Sequence, residues 1–258
     1  MAAFDINELL GSADKYKIEV DDLLENPAVR VPICLCLDTS GSMQTAGKIK
    51  DLNEGVRNFV DSLLDDEVAC DAAELCIIKM GGSNPELVCD FEPLYKVKQH
   101  DEIGNFNAYG KTPMGQAIQM GLRALNDRKA RYKATSTDYY RPWLVIMSDG
   151  VSTDSDKIMD QAKEYVLSLV EAKKVVCIPI VIGNDTNGIR QLSMFTPEGS
   201  AFTLQSVKIK EFFNYLSASV SRVSCSAQTA QDNPTEILKR EAKSIMTWVA
   251  GSAESHLS

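Results

Sequence analysis

The stretch that decides the fold is residues 31–43, which read VPICLCLDTSGSM. Its first seven residues form an unbroken apolar run, which is typical of a strand buried on both faces of a parallel sheet. Small and polar residues follow at once, from Asp38 to Gly47. The stretch therefore predicts a central strand that ends in a loop rich in side-chain oxygens.

Strand and helix patterns alternate on the C-terminal side of this stretch. Two more apolar runs predict buried strands, and apolar residues at steps of three, four and seven predict helices between them. Two shorter runs, 75–80 and 87–94, predict a hairpin. We therefore predict an α/β fold with a doubly wound, mostly parallel central sheet, helices on both faces and one antiparallel edge strand.

The composition divides the chain into three parts. We predict an acidic N-terminal extension at 1–29, one domain at 30–222, and a C-terminal linker and helix at 223–258. That last helix is expected at 235–249, with an apolar face that includes Trp248. It either packs on the domain or binds a partner, and packing is favoured because an exposed stripe with a tryptophan is costly in water.

Charge and hydropathy exclude several classes of protein. The 258 residues carry a net charge of -9, and an acidic chain binds phosphate backbones poorly, so nucleic acid is not an expected partner. No apolar stretch reaches the length of about 18 residues that a membrane-spanning helix needs. The first ten residues do not resemble a secretory signal. We predict a cytoplasmic protein with no membrane partner.

The cysteines and histidines of the chain provide few candidate ligands for a metal site built on sulfur or nitrogen. The seven cysteines include no C-x-x-C pair, and we interpret them as small buried side chains in a reducing compartment. Only two histidines are present, so sites built on histidine have few candidates.

The loop after the first strand offers oxygen ligands. Asp38, Ser40 and Ser42 follow each other at alternate positions, and Gly41 permits a tight turn between the two serines. Hard cations such as Mg²⁺ require oxygen ligands. Ligands on doubly wound sheets bind outside the carboxyl ends of the strands, which is where this loop is predicted.

Each candidate residue also has a purely structural interpretation. Thr112 before Pro113 is a common helix start, and Ser40 and Ser42 could cap the helix after them. Asp149 before a glycine could form a plain turn. The basic stretch 123–133 is interpreted as a solvated helix end and loop, or as a partner-docking patch at the end of the sheet opposite the loops.

Three motifs taken together carry a resemblance to a known family. They read DTSGSM at 38–43, YGKTPMG at 109–115 and MSDG at 147–150. In this order and after predicted strands, they resemble the metal-ion-dependent adhesion site of von Willebrand factor type A (VWA) domains. The segments YYRPW at 139–143 and GVSTD at 150–154 are similar to the bacterial TerY-like group, which is associated with tellurium resistance and stress response.

The resemblance implies a Rossmann-like fold and a metal site. Ser40, Ser42 and Thr112 would bind Mg²⁺ (or Mn²⁺ or Ca²⁺) through their hydroxyls, and Asp38 and Asp149 would act directly or through water. An Asp or Glu of a partner protein would complete the coordination. Kinases, phosphatases and ATPases are the partner classes that the resemblance suggests.

The predicted function is that of an intracellular, metal-dependent interaction module without catalytic residues. One alternative is a Mg²⁺-dependent hydrolase or phosphatase with Asp38 as nucleophile, although Ser40 stands where such phosphatases carry a second Asp. Another is a structural VWA subunit with a vestigial metal site.

Overall fold

The structure is a computed structural model that describes residues 23–225, 243–244 and 246–251. Seven strands and seven α-helices have bounds within these residues, and residues 23–25 are also helical. The strands are β1 (Val31–Asp38), β2 (Ala73–Met80), β3 (Glu86–Glu92), β4 (Trp143–Ser148), β5 (Val176–Ile182), β6 (Ser200–Leu204) and β7 (Met246–Ala250). The helices are α1 (Lys48–Leu64), α2 (Glu67–Ala72), α3 (Leu94–Val97), α4 (Met114–Thr135), α5 (Asp156–Glu171), α6 (Thr186–Ser193) and α7 (Ile209–Cys225).

All seven strands form one sheet in the order β3-β2-β1-β4-β5-β6-β7. The five inner strands are parallel, and the predicted hairpin places β3 antiparallel to β2. The predicted α/β fold is confirmed. A second antiparallel strand, β7, lies at the other edge against β6.

Strand β1 lies in the middle of the sheet because it is apolar on both faces. Every residue of it is buried, and it pairs with β2 on one side and β4 on the other. Successive side chains point to opposite faces. Leu35 therefore belongs to the core beneath α1 and α7, whereas Cys34 and Cys36 belong to the core beneath α4 and α5.

Helix α4 is longer than the sequence indicates. We interpreted 123–133 as a solvated helix end and loop, but the helix continues to Thr135. Arg128 and Tyr132 extend its buried face, where Arg128 donates two hydrogen bonds to Glu74 at 2.6 and 2.7 Å. An arginine counts as polar in a periodicity pattern, and the acidic partner of Arg128 lies 54 positions away. Local periodicity therefore did not indicate that the helix continues with a buried face.

The predicted C-terminal helix is wrong in the part that the structure describes. Residues 246–250 are strand β7, and the Trp248 ring meets Phe202 of β6 edge-on at 4.6 Å between centroids. Residues 235–242 of the predicted helix lie outside the described residues. Without β7, strand β6 would be an edge strand whose backbone groups need partners. A short apolar run fits a strand as well as a helix, so the sequence pattern did not distinguish the two.

The parallel strands bring their carboxyl ends to one edge of the sheet. Asp38 is the last residue of β1, and Ser148 is the last residue of β4, its neighbour. The predicted site residues that follow these strands are thereby placed together. Among the described residues, no helix combines the length and apolar character needed to cross a bilayer.

Candidate functional site

Asp38 is the buried centre of the first loop. The Ser40 backbone N–H donates to its Oδ1 at 2.8 Å, and the Ser148 hydroxyl donates to its Oδ2. Burial raises the pKa of the Asp38 carboxyl and the Asp149 charge adds to this, while the hydrogen bonds from Ser148 and Ser40 oppose it. The carboxylate is thus fixed in orientation at some electrostatic cost.

A chain of hydroxyl contacts links the first loop to the third. The Ser40 and Ser42 hydroxyl oxygens lie 3.0 Å apart, and the Ser42 hydroxyl donates to Asp149 Oδ1 at 2.6 Å. The other Asp149 oxygen accepts from the ammonium group of Lys48 at 2.7 Å. Four of the five predicted site residues are therefore connected through their side chains or by the Ser40 backbone bond to Asp38.

Hydrogen bonds to backbone carbonyls connect the second loop, which carries Thr112, to the first and third loops. Gly41 N–H donates to the Gly110 carbonyl at 3.1 Å, which ties the second loop to the first. The Thr112 carbonyl accepts from Thr153 N–H at 3.0 Å and from the Ser152 hydroxyl at 3.2 Å, which ties it to the third. Thr112 is 6% exposed, and its hydroxyl makes no hydrogen bond to any residue that the structure describes.

The helix-capping interpretations of these hydroxyls are wrong. Helix α4 begins at Met114 with Pro113 as its N-cap, and Thr112 does not cap it. Asp154 takes that role from the third loop, accepting from the backbone and side chain of Gln116 at 3.1 and 2.6 Å. Ser40 stands at the start of a 3₁₀ segment but forms no side-chain cap. Its hydroxyl faces Ser42 instead.

A close contact between glycines fixes the second loop. Gly110 has a φ of +70°, which favours glycine, and a Cβ there would lie 2.5 Å from the Gly82 Cα. Gly82 N–H donates to the Tyr109 carbonyl at 3.0 Å, and Lys111 N–H donates to the Gly82 carbonyl at 2.9 Å. The turn after β2 thus braces the loop that carries Thr112.

The donor set suits a hard cation. The five predicted residues supply two carboxylates and three hydroxyls, all oxygens, as Mg²⁺ requires. In the described part of the chain, no group of three or more His, Cys, Asp or Glu side chains could hold a metal. A cation here would therefore depend on the hydroxyls, and the Thr112 hydroxyl has no hydrogen-bond partner among the described residues.

Two contributors to the site were not predicted. Ser148 orients Asp38, and its only sequence signal is its position directly before Asp149. Lys48 opens helix α1 and pairs with Asp149 across 101 positions, and no local pattern signals that pairing. Its ammonium, with a side chain 22% exposed, already places a positive charge beside the predicted metal site.

The site is open to solvent at Ser42, and two of its loops carry an exposed tyrosine or valine. Ser42 is exposed, in contrast to Asp38, Ser40, Thr112 and Asp149. The side chains of Tyr109 on the second loop and Val151 on the third are 46% and 45% exposed. A partner molecule can therefore reach the Ser42 hydroxyl from solvent.

The family comparison matches the part of the chain that forms this site. Residues 33–152 match the family model described as von Willebrand factor type A domain. They include all three loops and the five predicted residues. Comparison with curated protein sequences gives no match.

Solved structures share the fold at low sequence identity. The domain of the type V pili tip protein Mfa5 from Porphyromonas gingivalis aligns with a TM-score of 0.58 at 10% identity, over 78% of this chain and 98% of that one. The pilus adhesin SpaC from Lactobacillus rhamnosus GG aligns with 0.57 at 14%, over 76% and 31%. Proximal thread matrix protein 1 from the mussel byssus aligns with 0.52 at 14%, over 78% and 47%, so this chain spans about half of its length.

Proposed function

Since residues 33–152 of this chain match the family model described as von Willebrand factor type A domain, we propose that the chain is a metal-dependent protein-interaction module. Its bound divalent cation would take a carboxylate from an Asp or Glu of a partner protein. The observation that carries the proposal is the connected set of oxygen donors where the three loops meet, with Thr112 buried and its hydroxyl uncommitted.

The proposed roles follow from the chemistry of the donors. Ser40, Ser42 and Thr112 would hold Mg²⁺ (or Mn²⁺ or Ca²⁺), and Asp38 and Asp149 would orient these hydroxyls or bind the ion directly. When bound, the cation supplies a positive charge that neutral hydroxyl ligands leave largely uncancelled. That charge favours a carboxylate from outside the chain, because an ionised acceptor in a partly desolvated contact binds more strongly than a neutral one.

The surroundings of the site support a protein ligand. Tyr109 and Val151, on the second and third loops, are exposed and offer area for contact with a partner protein. Two of the similar structures are named as a pili tip protein and a pilus adhesin. Attachment to another molecule is thus a role that proteins with this fold perform.

We extend the proposal to the setting that the sequence suggests. The TerY-like segments favour a cytoplasmic adaptor in a tellurium-resistance or stress-response system, with a kinase, phosphatase or ATPase as partner. Free thiols are found at six cysteines, which agrees with a reducing compartment: Cys34, Cys36, Cys70, Cys76, Cys89 and Cys177. A pulldown from cell extract, eluted with a chelator, would identify the partner class. Retention of every partner in chelator would instead favour a structural subunit with a vestigial site.

The first test is titration calorimetry with Mg²⁺ and Mn²⁺. The wild type should bind one ion, and Asp38→Ala and Thr112→Ala should each weaken binding at least tenfold, because each removes an oxygen of the donor set. Asp160→Ala and Thr203→Ala, at positions outside the site, serve as matched controls and should bind as the wild type does. Equal binding by wild type and both site variants would contradict the proposal.

A hydrolase is the less favoured alternative. Both oxygens of Asp38 already accept hydrogen bonds, from Ser40 N–H and the Ser148 hydroxyl, and the side chain is buried. A nucleophile needs an exposed oxygen next to the reacting atom. Turnover of an aryl phosphate that Asp38→Asn abolishes would favour the hydrolase instead.

A further inference from the structure

A cationic cavity lies at the edge of the sheet opposite the metal loops. It has a volume of about 700 Å³ and lies between the C-terminal part of α4, the end of α5 and the segment that leads into β4. Strand β4 has six residues, from Trp143 to Ser148, so the two edges are roughly 17 Å apart. A ligand in the cavity would not touch the proposed metal.

Five cationic side chains line this cavity, and no carboxylate does. They are Lys129, Lys133, Arg141, Lys173 and Lys174. None of the five forms an ion pair with a carboxylate that the structure describes. In a chain with a net charge of -9, this is a local excess of positive charge without internal compensation.

Helix ends explain only part of this charge. Lys133 lies in the last turn of α4, and Lys173 and Lys174 follow α5, where lysine is favoured by the helix dipole. Arg141 is on no helix, and Lys129 lies more than a turn before the end of α4. Burial, followed by the charges of Lys174 and Lys133, lowers the pKa of Lys129, so these cations converge at a cost.

The backbone and the aromatic wall hold the cavity in shape. Lys173 has a φ of +55°, a left-handed conformation that favours glycine, and Lys174 N–H donates to the Leu169 carbonyl at 2.8 Å. Tyr139 lines the cavity, and its ring stacks on buried Tyr132 at 4.9 Å between centroids. Because Tyr132 is hydrogen-bonded to Glu74, this wall is anchored in the core.

We propose that this cavity binds a small, multiply charged anion of the oligophosphate class. Its volume lies within the range of about 300–1,000 Å³ that is usual for small-ligand sites. Several lysines and an arginine facing one space match a chain of phosphates, and arginine can donate two parallel hydrogen bonds to one phosphate. Leu169 and the Tyr139 ring leave an apolar wall for an organic part of the ligand.

The test is titration of the full chain with inorganic triphosphate and with ATP, both in chelator so that no divalent cation contributes. We expect binding that weakens as salt is raised, and at least a tenfold loss of affinity in Lys129→Gln/Lys133→Gln. The matched control is Lys157→Gln/Lys163→Gln on α5, outside the cavity, which should stay within twofold of the wild type. Tighter binding of ATP than of triphosphate would indicate that the apolar wall contacts the organic part of the ligand. Equal binding would indicate that the cavity recognises only the phosphate chain.

A second variant separates loss of the site from loss of the fold. Arg141→Gln lies off both helices and should weaken binding severalfold while thermal unfolding stays cooperative. Asp38→Asn should leave anion binding unchanged, because it lies at the other edge of the sheet. No binding by the wild type, or equal weakening in the cavity and control variants, would overturn the proposal.

Discussion

Asp38 is the residue on which the electrostatics of the site depend. It is fully buried, accepts two hydrogen bonds, and shares the site with Asp149. Burial raises its pKa, so the folded protein holds this carboxylate in its charged form at a cost in stability.

We predict that Asp38→Asn stabilises the metal-free protein at neutral pH by on the order of 1 kcal/mol, because it removes a buried charge and keeps an acceptor for Ser40 N–H. The folded-state pKa of Asp38 is above the unfolded value. The wild type should therefore lose stability relative to the variant as pH rises through that window, from about 4 upward. Urea unfolding at several pH values in chelator measures the difference.

Adding Mg²⁺ provides the control for this prediction. The wild type should gain stability with the ion, and Asp38→Asn should gain much less, since only binding to the folded state shifts unfolding. A variant that is less stable than the wild type without metal would show that the ionised carboxylate stabilises the fold.

At the level of elements, helix α4 connects the two edges of the sheet at which the proposed sites lie. It begins at Met114, two residues after Thr112, and its last two turns carry Lys129 and Lys133 of the cavity; its 22 residues span about 33 Å. Gly121 lets it lie close to the sheet, because a Cβ there would be 2.7 Å from Cys34 Sγ. The position of the second loop therefore depends on how this helix packs against the sheet and on the turn that precedes it.

We predict that Gly110→Ala weakens Mg²⁺ binding at least tenfold. A methyl group there meets the Gly82 backbone, so the loop must move and carry Thr112 with it. Gly199→Ala is the matched control, since its φ is also positive, at +61°, but a Cβ there meets nothing within 4 Å. Both variants should lose about 1 kcal/mol from backbone strain, and calorimetry should separate them. Equal metal affinities in the two would contradict the prediction.

For the molecule as a whole, the last strand at one edge of the sheet comes from a segment far along the chain. β7 pairs with β6 over five residues, from Met246 to Ala250, and brings Trp248 onto Phe202. It comes from the predicted C-terminal extension and completes the sheet that carries both proposed sites. An acidic chain thus combines one cationic cavity with a proposed metal site at the opposite edge.

We predict that Trp248→Ala lowers the free energy of unfolding by about 2 kcal/mol, through lost apolar burial and the lost ring contact with Phe202. Tyr95→Ala, at an exposed aromatic residue, should change it by less than about 0.5 kcal/mol. Denaturant unfolding followed by circular dichroism measures both. Similar values for the two variants would mean that β7 contributes little to the fold.

The sequence alone determined most of the elements and the positions of the candidate site residues along the chain. Continuous apolar runs predict buried parallel strands, and steps of three and four predict helices, because burial of one face is what each element requires. Oxygen-bearing residues directly after two of those runs had to meet, since parallel strands end at the same edge. The assignment of Asp38, Ser40, Ser42, Thr112 and Asp149 as metal ligands stays a prediction.

Only the tertiary structure decided which distant residues complete these features. Lys48 pairs with Asp149, Asp154 caps α4, Arg128 pairs with Glu74, and β7 replaces the end of a predicted helix. The cationic cavity likewise forms from two helix ends and a third segment. Such contacts follow from the packing and register of elements far apart in the chain, and the local periodicity that specifies an element contains no information about its partner.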